Sequence, residues 1–138
     1  MQNEIKSKLS FISYRVKEVI LKQNDNFQNK GKPINVDFKL EHNTDISDNI
    51  MKINLILTIF DKAEENNYPF YMKTVLEGKF ALEGDNIEAF EINGIALLYP
   101  YIRSIISTYT ANSNMPTLIL PPINVANYYK NSKKKKEN

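Results

Sequence analysis

The sequence predicts an α+β fold: a four-stranded antiparallel sheet with C-terminal helices packed on one face, in a single domain over residues 1–132 with a basic, disordered tail over 133–138. Three observations predict it. Apolar and polar residues alternate over 34–40, 49–60 and 70–82, the period of strands with one buried and one wet face. The connections between these runs are short, which favours antiparallel hairpins. Beyond residue 93 the period changes to that of a helix, the layer that a sheet with one apolar face needs to cover it.

In chain order, residues 9–22, LSFISYRVKEVILK, are rich in β-branched and aromatic side chains and read as a long first strand. Their alternation is imperfect. Phe11 and Ile12, then Val19, Ile20 and Leu21, are apolar on both parities, so either both faces are partly covered or a bulge shifts the register. Residues 23–33 turn to Asn, Gln, Lys and Gly, a crossover loop. Its one large apolar residue, Phe27, either packs onto the domain or forms the wall of a binding groove. Ile34, Val36, Phe38 and Leu40 then line one side of a second strand, and a turn is expected at 44–48. Met51, Ile53, Leu55, Leu57 and Ile59 line the third strand. After a polar loop at 62–68, Phe70, Met72, Thr74, Leu76, Gly78, Phe80 and Leu82 line the fourth.

A short helical turn is expected within 83–91, leading into the main helix. There Ile95, Leu98, Tyr99, Ile102, Ile105, Ile106 and Tyr109 recur at the spacing that draws one apolar stripe. Pro100 lies inside the pattern and removes a backbone bond, so a kink is expected there. Leu97, Tyr101 and Ile105 widen the stripe beyond what one small sheet buries, which predicts self-association. Residues 112–116 end the helix. Leu118, Ile119, Leu120 and the Pro121-Pro122 pair form an extended segment, and a short last helix over 124–130 carries Val125, Tyr128 and Tyr129.

At 138 residues, 42% hydrophobic and 25% charged, the chain is sized and composed for one core rather than for wholesale disorder. It has no cysteine, which removes disulfides, thiolate nucleophiles and cysteine metal sites and fits a reducing cytoplasm. Neither a secretory leader nor a membrane-spanning run is expected. The formal charge is +2, but the four lysines and one glutamate of the tail hold +3, leaving residues 1–132 at −1. The basicity is therefore local: a solubilising tail, or a contact for RNA, anionic lipid or an acidic partner.

Catalytic constellations are hard to assemble. His42, the only histidine, lies at the polar end of a strand and reads as a surface residue, which excludes paired-histidine metal sites and places a Ser-His-Asp set poorly. Gly31, Gly78, Gly84 and Gly94 are scattered and make no phosphate loop. No enzyme activity, metal or cofactor is expected. Arg103 is the one charged residue within the apolar helix and needs a partner, either a structural ion pair or carbonyl contact, in the helix layer or an oligomer interface, or a ligand. Aromatic surface remains. Phe27, Tyr99, Tyr101, Tyr109, Tyr128 and Tyr129 either pack or line a groove for extended chains, since such rings give sequence-tolerant contact with little rotamer entropy to lose.

The run Leu98-Tyr99-Pro100-Tyr101-Ile102-Arg103, followed by Pro116, Leu118, Leu120, Pro122 and Asn124, resembles the SecB family of export chaperones, whose pattern reads approximately L-F-P-Y-x-R and then P-x-L-x-L-x-P-x-N-F. The spacing is intact. Tyr99 stands for the usual Phe and Val125 for the closing Phe, both large and apolar, and the strand-rich region before the motif has the family's layout.

The resemblance implies an ATP-independent holdase, cytoplasmic and homotetrameric as a dimer of dimers, that binds unfolded precursor polypeptides in apolar grooves for export. It places Phe27, Val125, Tyr128 and Tyr129 along the groove. Tyr99, Pro100, Tyr101 and Arg103 are expected in interface or structural roles, and a dimer is the fallback assembly. It also implies transfer to the motor SecA, which docks on the family's acidic sheet surface, whereas this body is near neutral. Some relatives are dedicated chaperones of toxin-antitoxin systems, the alternative reading, and a non-chaperone interaction domain is a further one. No nucleic-acid partner or membrane insertion is expected.

Overall fold

The computed structural model describes residues 7–137. Its sheet has the order β1-β4-β3-β2, with every neighbouring pair antiparallel, and helices on one face. This is the α+β architecture that the alternating runs imply.

Strand β1 (Lys8–Gln23) pairs with β4 (Phe70–Glu83), and two register shifts leave Ile12 and Lys17 outside the ladder. Those bulges account for the mixed parity. Leu9, Phe11, Tyr14, Val16, Val19 and Leu21 all fall opposite the inward residues of β4, from Leu82 to Met72. Residues 24–37 then carry the chain across to the far edge. There β2 (Phe38–Ser47) and β3 (Ile50–Ile59) form a hairpin around Asp48 and Asn49, both at positive φ as a two-residue turn of matching twist requires.

Two expectations for this region need correction. The second strand starts at Phe38, not Ile34, and it runs through Thr44 to Ser47, where the turn was expected to begin. Ile34 and Val36 alternate but lie outside the ladder and are exposed, because the strand starts only where Phe60 N–H reaches the Asp37 carbonyl at 2.8 Å. The connection from β3 to β4, expected as loop, contains the short helix α1 (Ala63–Asn66).

Helix α2 (Ile87–Ala111) is one unbroken element; its N-cap Asn86 accepts from Ala89 N–H, so no separate turn precedes it. It packs on β4, β3 and β1. Pro100 sits within it on the exposed side, where a carbonyl that loses its partner can face solvent. Two glycines allow close approach. A Cβ on Gly94 would lie 2.6 Å from Ile53 Cδ1, and one on Gly78 would lie 2.6 Å from Leu98 Cδ2. The core between helix and sheet holds Met51, Ile53, Leu55, Leu76, Phe80, Ile95, Leu98 and Ile102, all out of contact with solvent.

The last helix, α3 (Val125–Glu137), extends seven residues past its expected end. The lysines from Lys133 onward are therefore helical rather than a disordered tail. Basic side chains in the closing turns oppose the negative end of the helix dipole, which favours continuation over fraying.

Candidate polypeptide-binding site

Between α2 and α3 the chain runs extended, and α2 holds it by a row of donors. Tyr99 hydroxyl donates to the Pro121 carbonyl at 2.7 Å, Arg103 Nε to the Leu120 carbonyl at 2.9 Å, and Ser107 Oγ to the Leu118 carbonyl at 2.9 Å. Spaced four residues apart, the three donors lie on one face of the helix. Thr110 Oγ1 completes the row by accepting from Leu118 N–H at 2.9 Å. The segment cannot join a sheet or helix, so these bonds satisfy carbonyls that would otherwise be unpaired near the core. Arg103 contacts a carbonyl here, with its guanidinium also 5.9 Å from the centre of the Tyr99 ring. Helix α3 begins after Asn124, whose side chain accepts from Asn127 N–H at 3.0 Å.

Helix α3 is fastened to the sheet by a polar cluster centred on Glu91 of α2. Tyr129 hydroxyl donates to Glu91 Oε1 at 2.9 Å, Thr44 Oγ1 donates to Glu91 Oε2 at 2.9 Å, and His42 Nε2 lies 3.7 Å from the same Oε2. His42 Nδ1 and the Tyr128 hydroxyl share a hydrogen bond of 2.7 Å. The His42 side chain is 5% exposed, which corrects the expectation of a surface histidine. The physical reason is parity: Phe38, Leu40, His42 and Thr44 alternate on the inner face of β2, and α3 covers that face. Burial, with the Glu41 carboxylate adding to it, pushes the Tyr128 hydroxyl above the ordinary tyrosine range, and burial also raises Tyr129. Both hydroxyls stay protonated at neutral pH.

What the cluster leaves open is a cleft of about 480 Å³ between β2 and α3. Phe38, Leu40 and His42 line it from the strand; Tyr128, Asn131, Ser132 and Lys135, one face of the helix, line it from the other side. A second depression of about 240 Å³ lies under Ile34 and Val36, against Phe60, Met115 and Leu118. The alternate residues of 34–42 thus serve both hollows in succession. Nearby, Ile119 of the extended segment is 73% exposed.

Of the four groove residues named from the sequence, only Tyr128 lines the cleft. Tyr129 is 1% exposed and packs in the core with its ring stacked on His42, which corrects its assignment as a groove residue. Val125 is half-buried against the core. Phe27 is half-buried near α1, where Asn24 donates to the Tyr68 carbonyl and Asn67 exchanges two hydrogen bonds with the backbone of Gln28; it lines neither hollow. Sequence reasoning did not point to Phe38, Leu40, Ile34 and Val36, which line the two hollows. The alternation was visible, but the openness of that strand edge was not.

A different surface gathers the other aromatics. Tyr14 of β1 and Tyr101 of α2 have ring centres 4.3 Å apart, and with Val16, Leu97 and Tyr109 they leave an exposed apolar flank on the β1 side of α2. Among the described residues no helix is long and apolar enough to cross a membrane, and no group of three or more potential ligands could hold a metal ion.

Comparison with known proteins agrees with this architecture. The family described as preprotein translocase subunit SecB matches residues 4–136. An uncharacterized protein of Methanocaldococcus jannaschii is 33% identical over 99% of this chain and 92% of its own length. The protein-export protein SecB of Alcanivorax borkumensis is 34% identical over 54% of this chain and 49% of its own. Among solved structures, a Mycobacterium tuberculosis SecB-like chaperone, in complex with a ChAD peptide from an antitoxin, superposes with a TM-score of 0.66 at 15% identity, covering 84% of this chain and 88% of that one. A Streptococcus agalactiae protein of unknown function superposes with a TM-score of 0.53 at 12% identity, covering 85% and 99%. With its motif, sheet order and clamped helix pair accounted for, this chain belongs to the SecB family of chaperones.

Proposed function

We propose that this protein is an ATP-independent holdase that keeps non-native polypeptides extended and apart, acting in the cytoplasm on precursors destined for export. The observation that carries the reading is the apolar hollow between β2 and α3, continued along the chain by exposed Ile34 and Val36. Folded proteins cover such contiguous apolar surface unless it binds something. Extended chains offer alternating side chains at the spacing of such a strand-lined trough. Tyr128 serves as the aromatic wall. The exposed flank of Tyr14, Val16, Leu97, Tyr101 and Tyr109 supports self-association, and the family's homotetramer is the assembly proposed.

The test is suppression of aggregation of chemically unfolded proteins by stoichiometric amounts of the full chain without nucleotide. Suppression across several clients is expected. A lack of suppression for all of them overturns the general holdase reading.

The structural neighbour bound to an antitoxin peptide favours a second reading, a dedicated chaperone of a toxin-antitoxin system. That version protects one antitoxin and ignores general clients. A hand-off to SecA would have to proceed without a strong acidic excess, since residues 1–132 carry −1.

A further inference from the structure

The cleft between β2 and α3 carries a charge pattern that sorts its ligands. Lys39 and Glu41 on β2 neutralise each other at 2.6 Å. Lys133 is held over the Tyr129 ring, 4.9 Å from its centre. Lys135, also lining the cleft, has no ion pair among the described residues, so its ammonium is the uncompensated charge at the cleft's rim. It shares a helix face with Tyr128, Asn131 and Ser132, whereas Lys134 points about 100° away around the helix and lines no part of the cleft.

We infer that Lys135 is a specificity residue: the cleft takes an extended polypeptide segment that places an acidic side chain about three residues from the apolar side chain packed on Tyr128. This rests on the polypeptide-binding reading of the same cleft. The spacing follows from geometry. Seven residues of helix separate Tyr128 from Lys135 by about 10 Å along the axis, and extended chain covers that distance in about three residues. Charge complementarity selects the acid, because a carboxylate there meets an unpaired ammonium at the edge of an apolar wall, where screening by water is weaker than in the open.

Lysines near a helix C-terminus also stabilise the helix itself, a role that Lys134 and Lys135 share. Only the cleft distinguishes them. Two fluorescein-labelled peptides with one central Phe in an extended apolar sequence serve as probes: one has Glu three residues to either side of the Phe, the other has Gln at both positions. Fluorescence anisotropy is read with the full chain at low and high salt. The Glu peptide is expected to bind about three- to fivefold more tightly at low salt, with the advantage shrinking as salt rises. K135Q removes this advantage, while K134Q keeps it. Equal affinity of the wild-type chain for both peptides overturns the assignment but spares the polypeptide-binding cleft. Equal losses in K134Q and K135Q reduce the effect to general attraction and overturn it as well. If neither peptide binds, the cleft and the lysine fall together.

Discussion

The two flanks of α2 cover the same sheet in different ways. Towards β2, helix α3 folds over the inner face and is bolted there through Glu91, leaving a concave trough with an apolar floor and a charged rim. Towards β1 no further element among the described residues covers α2, and Tyr14, Val16, Leu97 and Tyr101 make a flank whose aromatic rings already pair with one another. A concave trough along a strand edge suits an extended chain. A flank of rigid aromatic and aliphatic side chains suits a second copy of itself, since an isologous contact uses each residue twice. One small sheet therefore supports two kinds of apolar surface, separated by a single helix.

The largest disturbance comes from moving that helix. Gly94 lies against Ile53, with Met51 and Phe80 close by, so Gly94→Leu forces α2 away from the sheet and damages both flanks together. Overpacking of this kind is expected to cost about 3 kcal/mol or more. Chemical denaturation reads the loss, and unchanged stability would show that α2 is not seated by Gly94.

Separating the flanks needs a surface change. Tyr101→Asp places a charge in the flank beside Phe11 and Tyr14, and is expected to raise the protomer dissociation constant by at least about tenfold, or 1.4 kcal/mol. Light scattering measures the assembly, and peptide anisotropy measures the cleft. Loss of peptide affinity in a folded, dissociated variant would mean that the trough needs a second copy to be complete.

A smaller effect belongs to the α3 side alone. Tyr128→Phe removes the hydrogen bond to His42 and is expected to cost about 0.5–1.5 kcal/mol while keeping the aromatic wall, so peptide affinity stays near the wild-type value. The pH dependence has a definite sign. Folding raises the Tyr128 hydroxyl above its unfolded value, chiefly through burial, so the neutral form is favoured. Its contribution is fully present below about pH 10 and is lost as pH rises beyond that. Denaturation midpoints across the alkaline range should fall more steeply for the wild-type chain than for Tyr128→Phe, with Tyr129 accounting for part of what remains.

How much of this was legible in the sequence depends on which physical signal each residue carried. Alternation in Met51 to Ile59 and Phe70 to Leu82 placed β3 and β4 because both are central strands, where period and burial coincide. The same alternation misled at Ile34 and Val36, since a period-two run says nothing about whether a hydrogen-bonding partner is present. His42 continued the inward parity of Phe38 and Leu40, but an early turn at 44–48 hid it. The Tyr99 and Arg103 positions stood out as a motif, yet their work as carbonyl clamps required knowing that the segment around Leu120 returns alongside α2. Tyr128 and Tyr129 are adjacent and chemically alike. Only the helix phase sends one to the cleft and the other to the core.

Clients are proposed to occupy the β2/α3 trough and not the β1/α2 flank. Amide hydrogen exchange of the full chain, with and without a bound unfolded protein, tests it most directly. Occupancy of the trough predicts new protection over residues 38–42 and 128–135 on client binding, with exchange over 14–16 unchanged. Protection that appears only along β1 and the exposed side of α2, while 38–42 exchanges as before, would contradict it.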